Sequence, residues 1–171
     1  WLSWAESADA LLTCVLHLNA PYLSWLPDGT KRYWGSDPRL YSEVGIQEGT
    51  RIRSANSAGF LVHGPYGALA AGTWSITIEG YIDNFVGSEV FEIVSGRATV
   101  IHWSIYCPER IGPLLVKGSF VVDQDVEDFE FRVRVDTDSD LRIDCFALSR
   151  DGNDDGKNIP TQSRVNIREL R

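Results

Sequence analysis

The strongest signal in this chain is strict alternation of apolar and polar positions. Trp74, Ile76 and Ile78 alternate with Ser75, Thr77 and Glu79, the period of two expected of a strand with one buried face. The same pattern predicts strands over Arg51 to Ser54, Gly59 to His63, Thr73 to Ile82, Glu89 to Val94, Ala98 to Cys107, Leu115 to Val122, Asp128 to Val135 and Leu141 to Leu148. Short strands separated by turn residues at this spacing predict an all-β fold, an antiparallel β-sandwich. Alternation also sorts the faces. Trp74/Ile76/Ile78, Ile101/Trp103/Ile105, Phe129/Phe131/Val133/Val135 and Leu141/Ile143/Cys145/Ala147 are expected inside, which turns Glu79, Tyr81, His102, Ser104, Tyr106, Arg132 and Arg134 outward.

The ends read differently. Apolar residues at Trp4, Ala8, Leu11, Leu12, Val15 and Leu18 have helical spacing, and Ser3 with Glu6 has the form of a capping box, so a short N-terminal helix is expected over 3–18. Residues 19–50 carry Pro21, Pro27, Gly29, Gly35, Pro38 and Gly45, too much punctuation for anything but loops and short strands. The expected organisation is an N-terminal helix and linker over 1–26, a sandwich domain over 27–150, and an acidic Gly-rich turn with a C-terminal strand or tail over 151–171.

Composition narrows the partners. The chain has 171 residues, 43% of them apolar, enough for one real core. A net charge of −8 disfavours nucleic acid and anionic membranes, which reward basic patches, and no run of about 18 apolar residues exists to span a bilayer. Cys14, Cys107 and Cys145 form no metal-binding spacing and read as buried free thiols, which favours a reducing, cytoplasmic setting. The absence of methionine and the start at Trp1 suggest a piece of a longer protein, with a neighbouring domain as one partner.

No GxSxG, HExxH, phosphate-binding or dinucleotide motif is present, and the acidic residues cluster in turns, so a binding domain is expected rather than an enzyme. An enzyme using paired carboxylates on a glycan is the remaining catalytic alternative. Two groups combine aromatic planes with forked donors: Tyr33, Trp34, Arg39 and Tyr41 in the loop-rich segment, and Tyr81, His102, Tyr106, Arg132 and Arg134 on the outward sheet face. Either suits an acidic or hydroxyl-rich glycan, by stacking and charge-assisted bonds, and either is also explained as a core cap or a solvated face. Trp74 and Trp103 share faces with isoleucines and belong to the core. In "DGNDDG", Asp151, Asn153 and Asp155 stand at the first, third and fifth places of a calcium-type loop with Gly156 sixth, but Gln162 occupies the place of the bidentate glutamate, and a solvated acidic turn is the preferred reading.

Across residues 33–148, "SDPRLYSEVG", "SANSAGFLVHGPYGALAAGTWSITIEG", "EVFEIVSG" and "FEFRVRVDTDSDLRIDCFALS" resemble the carbohydrate-binding β-sandwich (galactose-binding-like jelly-roll) modules found beside bacterial sugar-processing enzymes. "GFLVHGPYGALAAGTWSI" is similar to their "fGPY..L..G.Y.v" segment, with Trp74 where Tyr is common, and "DLRIDCFAL" to their closing "l.iD.i.l" strand. The resemblance implies a jelly-roll fold and a non-catalytic module that binds an oligo- or polysaccharide, in loops at one end or on a concave sheet face. It implies no required cofactor, but a structural calcium held by Asp144, since such modules often use the aspartate of the closing strand in this way. A structural or assembly domain that docks a neighbour or forms a homo-oligomer is the alternative in another class.

Overall fold

The computed structural model describes residues 30–151. Ten strands follow in order: β1 (Lys31–Trp34), β2 (Gly45–Glu48), β3 (Arg51–Ser54), β4 (Gly59–Leu69), β5 (Gly72–Asn84), β6 (Val90–Ser95), β7 (Val100–Tyr106), β8 (Gly112–Val122), β9 (Val126–Val135) and β10 (Asp140–Arg150). They form a six-stranded sheet in the order β2-β3-β10-β5-β8, with β1 also paired to β10, and a four-stranded sheet in the order β4-β9-β6-β7. Every pairing is antiparallel. The helix expected over 3–18 and the tail from 152 onward lie outside the described residues.

The core lies between the two sheets. Phe129, Phe131, Val133 and Val135 of β9 are all buried, as the alternation requires, and face Trp74, Ile76, Ile78, Leu141 and Ile143 from the other sheet. Phe131 meets Phe146 of β10 with ring centroids 4.0 Å apart, and Tyr33 of β1 stacks on the other side of Phe146 at 4.9 Å and 17°. Trp103 closes the sandwich at the β7–β8 side. It lies so close to Gly118 that a β-carbon there would come within 2.5 Å of the indole.

Bulges on β7 and β10 reset the alternation. On β7, Ile93 pairs with Trp103 but Val94 with Ile101, so His102 is an extra residue; Trp103 stays inside and Ile101 emerges at 61% exposure, contrary to the alternation of the sequence. On β10, Ile143 pairs with Gly80 and Cys145 with Glu79, which skips Asp144. Beyond it Phe146 and Leu148 enter the core, while Cys145 and Ala147, expected inside, fall on the opposite face. Cys145 is nevertheless covered, and its thiol lies 3.6 Å from Glu79 Oε2. Burial pushes the thiols of Cys107 and Cys145 up to about 12, so both are inert free cysteines.

A buried carboxylate pins the loop before β6. Glu89 is 1% exposed and accepts from the amides of Val86 and Gly87, each at 3.0 Å, and from the Ser139 hydroxyl at 2.5 Å. Burial alone would raise its pKa, but these donors outweigh that and hold it below the usual carboxylate range. A carboxyl whose folded pKa is depressed stabilises the fold above its unfolded pKa and loses that contribution as pH falls toward the folded value. Glu89→Gln is therefore expected to lower the melting temperature at pH 7 and to flatten its fall between neutral and acid pH. An unchanged acid slope contradicts this role. Phe131→Ala should cost about 3–5 kcal/mol in denaturant unfolding.

Candidate functional site

The register of the four-stranded sheet lays its outer face out in rows across β4, β9, β6 and β7. One row is Pro65, Glu130, Val94 and Ile101; the next is His63, Arg132, Glu92 and Ser104; the third is Phe60, Arg134, Val90 and Tyr106. The β4 half of this face is an open cleft of about 560 Å³ lined by Phe60, His63, Tyr66, Glu130, Arg132 and the 96–99 turn.

The irregular backbone of β4 shapes one wall. Its pairing with β9 is interrupted between Phe60 and Val62 and twice between Pro65 and Leu69, and Tyr66 is one of the residues skipped. Such bulges re-aim a side chain. Tyr66, at φ 56°, is 48% exposed and places its hydroxyl 2.7 Å from His63 Nδ1 and 3.4 Å from Glu130 Oε1. The free edge of β4 is covered by the segment that carries Tyr41, whose backbone exchanges bonds of 2.8 and 2.9 Å with His63. The Tyr41 ring stacks on the His63 imidazole at 5.6 Å, stands 6.0 Å from the Tyr66 ring, and is 55% exposed.

The β6–β7 turn forms the opposite wall. Both oxygens of Asp128 accept backbone amides, from Gly96 and Arg97, each at 3.0 Å, and these bonds hold its carboxyl below the usual range. Arg97 (φ 55°) and Ala98 (φ 64°) are left-handed there. With Tyr66 they make three of the four non-glycine residues of positive φ among the described residues, all lining the cleft. Each such residue costs about 1–3 kcal/mol and persists only where its surroundings fix it, a concentration typical of functional sites.

The floor carries the electrostatics. Arg132 lies with its guanidinium 4.4 Å from the Phe60 ring centroid, and its Nε is 3.9 Å from Glu92 and 4.0 Å from Glu130. That Nε is buried and has no hydrogen-bond partner. Burial raises the pKa of Glu130, opposed by the charges of Arg132 and His63 and by the Tyr66 hydroxyl. Among the described residues the floor thus holds a buried donor without a partner and a carboxylate with a single long hydrogen bond.

The sequence groups are divided by the fold. Arg132 lies in the cleft, and Arg134 and Tyr106 share its sheet face in the neighbouring row. Tyr81 does not join them: it belongs to β5 of the six-stranded sheet, where Arg142 lies 5.3 Å from its ring centroid. His102, displaced by the bulge, turns to the rim between the sheets, 2.8 Å from Ser95 Oγ and beside Phe120. In the other group Tyr33 is a core residue, its hydroxyl pushed to about 12 by burial. Arg39 is forked onto Asp37 at 2.9 and 2.6 Å, and Trp34 lies on β1 of the six-stranded sheet beneath Arg32. Only Tyr41 of that group comes near the cleft, stacked on His63 beside its wall without lining it. His63, Tyr66, Phe60 and Glu130 were missed; the positive φ and the bulges that bring them together leave no periodic signal.

The metal candidates are placed as follows. Asp144 accepts from Arg142 Nε at 3.1 Å and forms an ion pair with Arg51 at 3.1 Å, so two guanidiniums compensate its charge, and no cluster of three or more metal-ligating side chains occurs among the described residues. Asp151 accepts from Ser75 at 2.9 Å. Asn153 and Asp155 lie outside the described residues.

No protein-family model matches this sequence, and no curated protein matches it. Solved structures do. The C-terminal family-6 carbohydrate-binding module of LamC, a marine laminarinase from Zobellia galactanivorans, superposes with a TM-score of 0.50 at 11% identity, over 71% of this chain and 99% of that one. A family-6 module of Cellvibrio mixtus lichenase 5A, solved with cellotriose, gives 0.47 at 9% identity over 70% and 96%. A family-36 module of a multidomain xylanase from the hindgut metagenome of Trinervitermes trinervoides gives 0.47 at 10% over 72% and 98%. At these identities the likeness is one of fold: the chain has the β-sandwich of carbohydrate-binding modules.

The geometry generates one prediction here. Arg132 attracts the ionised form of Glu130, so Arg132→Met should move the Glu130 carboxyl titration further upward, measured by side-chain carboxyl NMR. An unmoved or lowered Glu130 pKa would show that the two charges do not interact.

Proposed function

We propose that this chain is a non-catalytic glycan-binding module and that the cleft on the four-stranded sheet is its sugar site. The carrying observation is the exposed Tyr66 ring, with Tyr41 beside it, set at a cleft whose floor holds the Arg132 guanidinium and the under-bonded Glu130 carboxylate. A pyranose offers an apolar ring face for the tyrosines. Its hydroxyls both donate and accept, so one diol can donate to Glu130 and accept from Arg132.

Charge favours a neutral sugar over a polyanion, because Glu43, Asp128 and Glu130 line the cleft against Arg97 and Arg132. The same inventory supports binding without catalysis. Glycoside hydrolysis needs two carboxyl groups at work. Here both oxygens of Asp128 are engaged by backbone amides, one oxygen of Glu43 accepts from the Phe60 amide and one of Glu130 from the Tyr66 hydroxyl. We extend the reading to an accessory role beside a sugar-processing enzyme, on the resemblance of residues 33–148 to modules of that kind. The neighbouring coding sequence tests that extension.

An open site with two aromatic faces and a few polar contacts should bind weakly, with Kd around ~0.1–1 mM. Titration calorimetry with cello- and laminari-oligosaccharides should show saturable binding to the wild type. Tyr66→Ala and Arg132→Met are each expected to lose about 1–3 kcal/mol with little change in Tm, whereas Tyr81→Ala, on the other sheet, should bind like wild type. Silence toward both series and toward xylo-oligosaccharides at millimolar ligand, or equal loss in Tyr81→Ala, overturns the assignment.

A further inference from the structure

The exposed apolar residues are not spread evenly. Of the ten large hydrophobic side chains that are exposed among the described residues, Val100, Ile101, Tyr106, Ile111 and Leu115 lie on β7, on β8 or on the connection between them. Single exposed hydrophobics need no explanation, but a run along one side of a sandwich does.

That side ends in β7, which among the described residues hydrogen-bonds to β6 alone and has no strand on its other edge. The remaining edges are protected in recognisable ways. β4 is covered by the Tyr41 segment, β2 has four residues, and β8 carries Pro113 and Lys117. β7, "VIHWSIY", has no Pro, Lys, Arg, Asp or Glu; its one irregularity is the bulge at His102. An uncharged edge of β-branched and aromatic residues is a template for strand addition.

We propose that β7 is a docking edge for a second copy of this chain, joined antiparallel about a two-fold axis near the middle of the strand. Charge selects this occupant. In a chain of net charge −8, an uncharged strand is where two copies approach with least repulsion. Antiparallel pairing also brings the exposed turn carrying Arg97 of one copy alongside the segment carrying exposed Glu109 of the other, and the two-fold axis repeats the contact. Arg110, which would repel Arg97, is turned away onto the Pro113 carbonyl at 3.0 Å. The two four-stranded sheets become one continuous surface, with both clefts on the same face. The inference does not depend on what those clefts bind.

Sedimentation velocity of the full chain at tens of micromolar tests it. The wild type should sediment at twice the 19.1 kDa protomer mass. Ile101→Lys, at an exposed position, should be monomeric with an unchanged circular dichroism spectrum. Glu109→Arg should weaken dimerisation about tenfold, and adding Arg97→Glu to it should restore the dimer. A monomeric wild type, a dimer untouched by Ile101→Lys, or a Glu109→Arg variant that dimerises as well as wild type overturns the proposal; if Ile101→Lys fails to fold, Glu109→Arg and its reversal carry the test.

Discussion

Everything in this molecule hangs on the pairing register of β9. Its odd-numbered residues, Phe129, Phe131, Val133 and Val135, fill the centre of the core, and its even-numbered residues, Asp128, Glu130 and Arg132, build the cleft. A slip of one residue would turn four charges, Arg134 included, toward the core and expose two phenylalanines, so the hydrophobic energy that closes the sandwich also fixes the position of the charged floor. Against β6 the pairing of β9 runs without a bulge, and the site inherits the rigidity of the core beneath it.

Strain is carried by the neighbours of β9 instead. β4 is interrupted repeatedly where it delivers Tyr66, and the β6–β7 turn takes two consecutive left-handed residues where it delivers Arg97 and Ala98. Asp128, on β9 itself, holds that turn by its backbone amides. A straight central strand with irregular flanks is a physical means of placing adaptable groups over a fixed floor. The other face differs: on the six-stranded sheet arginines meet aspartates directly, Arg53 with Asp140 at 2.6 Å and Arg51 with Asp144 at 3.1 Å.

Sequence periodicity conveys the regular parts of this design. The sandwich class, most strand positions and the two faces of β9 and β5 are all legible as alternation. It fails wherever one residue is added to a strand. Across His102 and Asp144 the phase reverses, so Ile101, Cys145 and Ala147 fall on the face opposite to the one alternation predicts for them. It fails also for pairing order: Tyr81 and Arg132 are both outward, but strand connectivity, which single residues do not encode, puts them on different sheets. Tyr33 and Tyr41 look alike in the loop-rich segment, and only the pairing of β1 with β10 sends one into the core while the bridge to His63 leaves the other beside the cleft.

The central claim is that the cleft over Glu130 and Arg132 is where this chain meets a sugar. Backbone amide NMR during titration with laminari- or cello-oligosaccharides tests it most directly, because each strand reports separately. The account predicts concentration-dependent shifts at His63, Tyr66, Arg97, Glu130 and Arg132, with Tyr81 and Arg142 still. Shifts centred on the six-stranded face, or none anywhere at millimolar oligosaccharide, would contradict it.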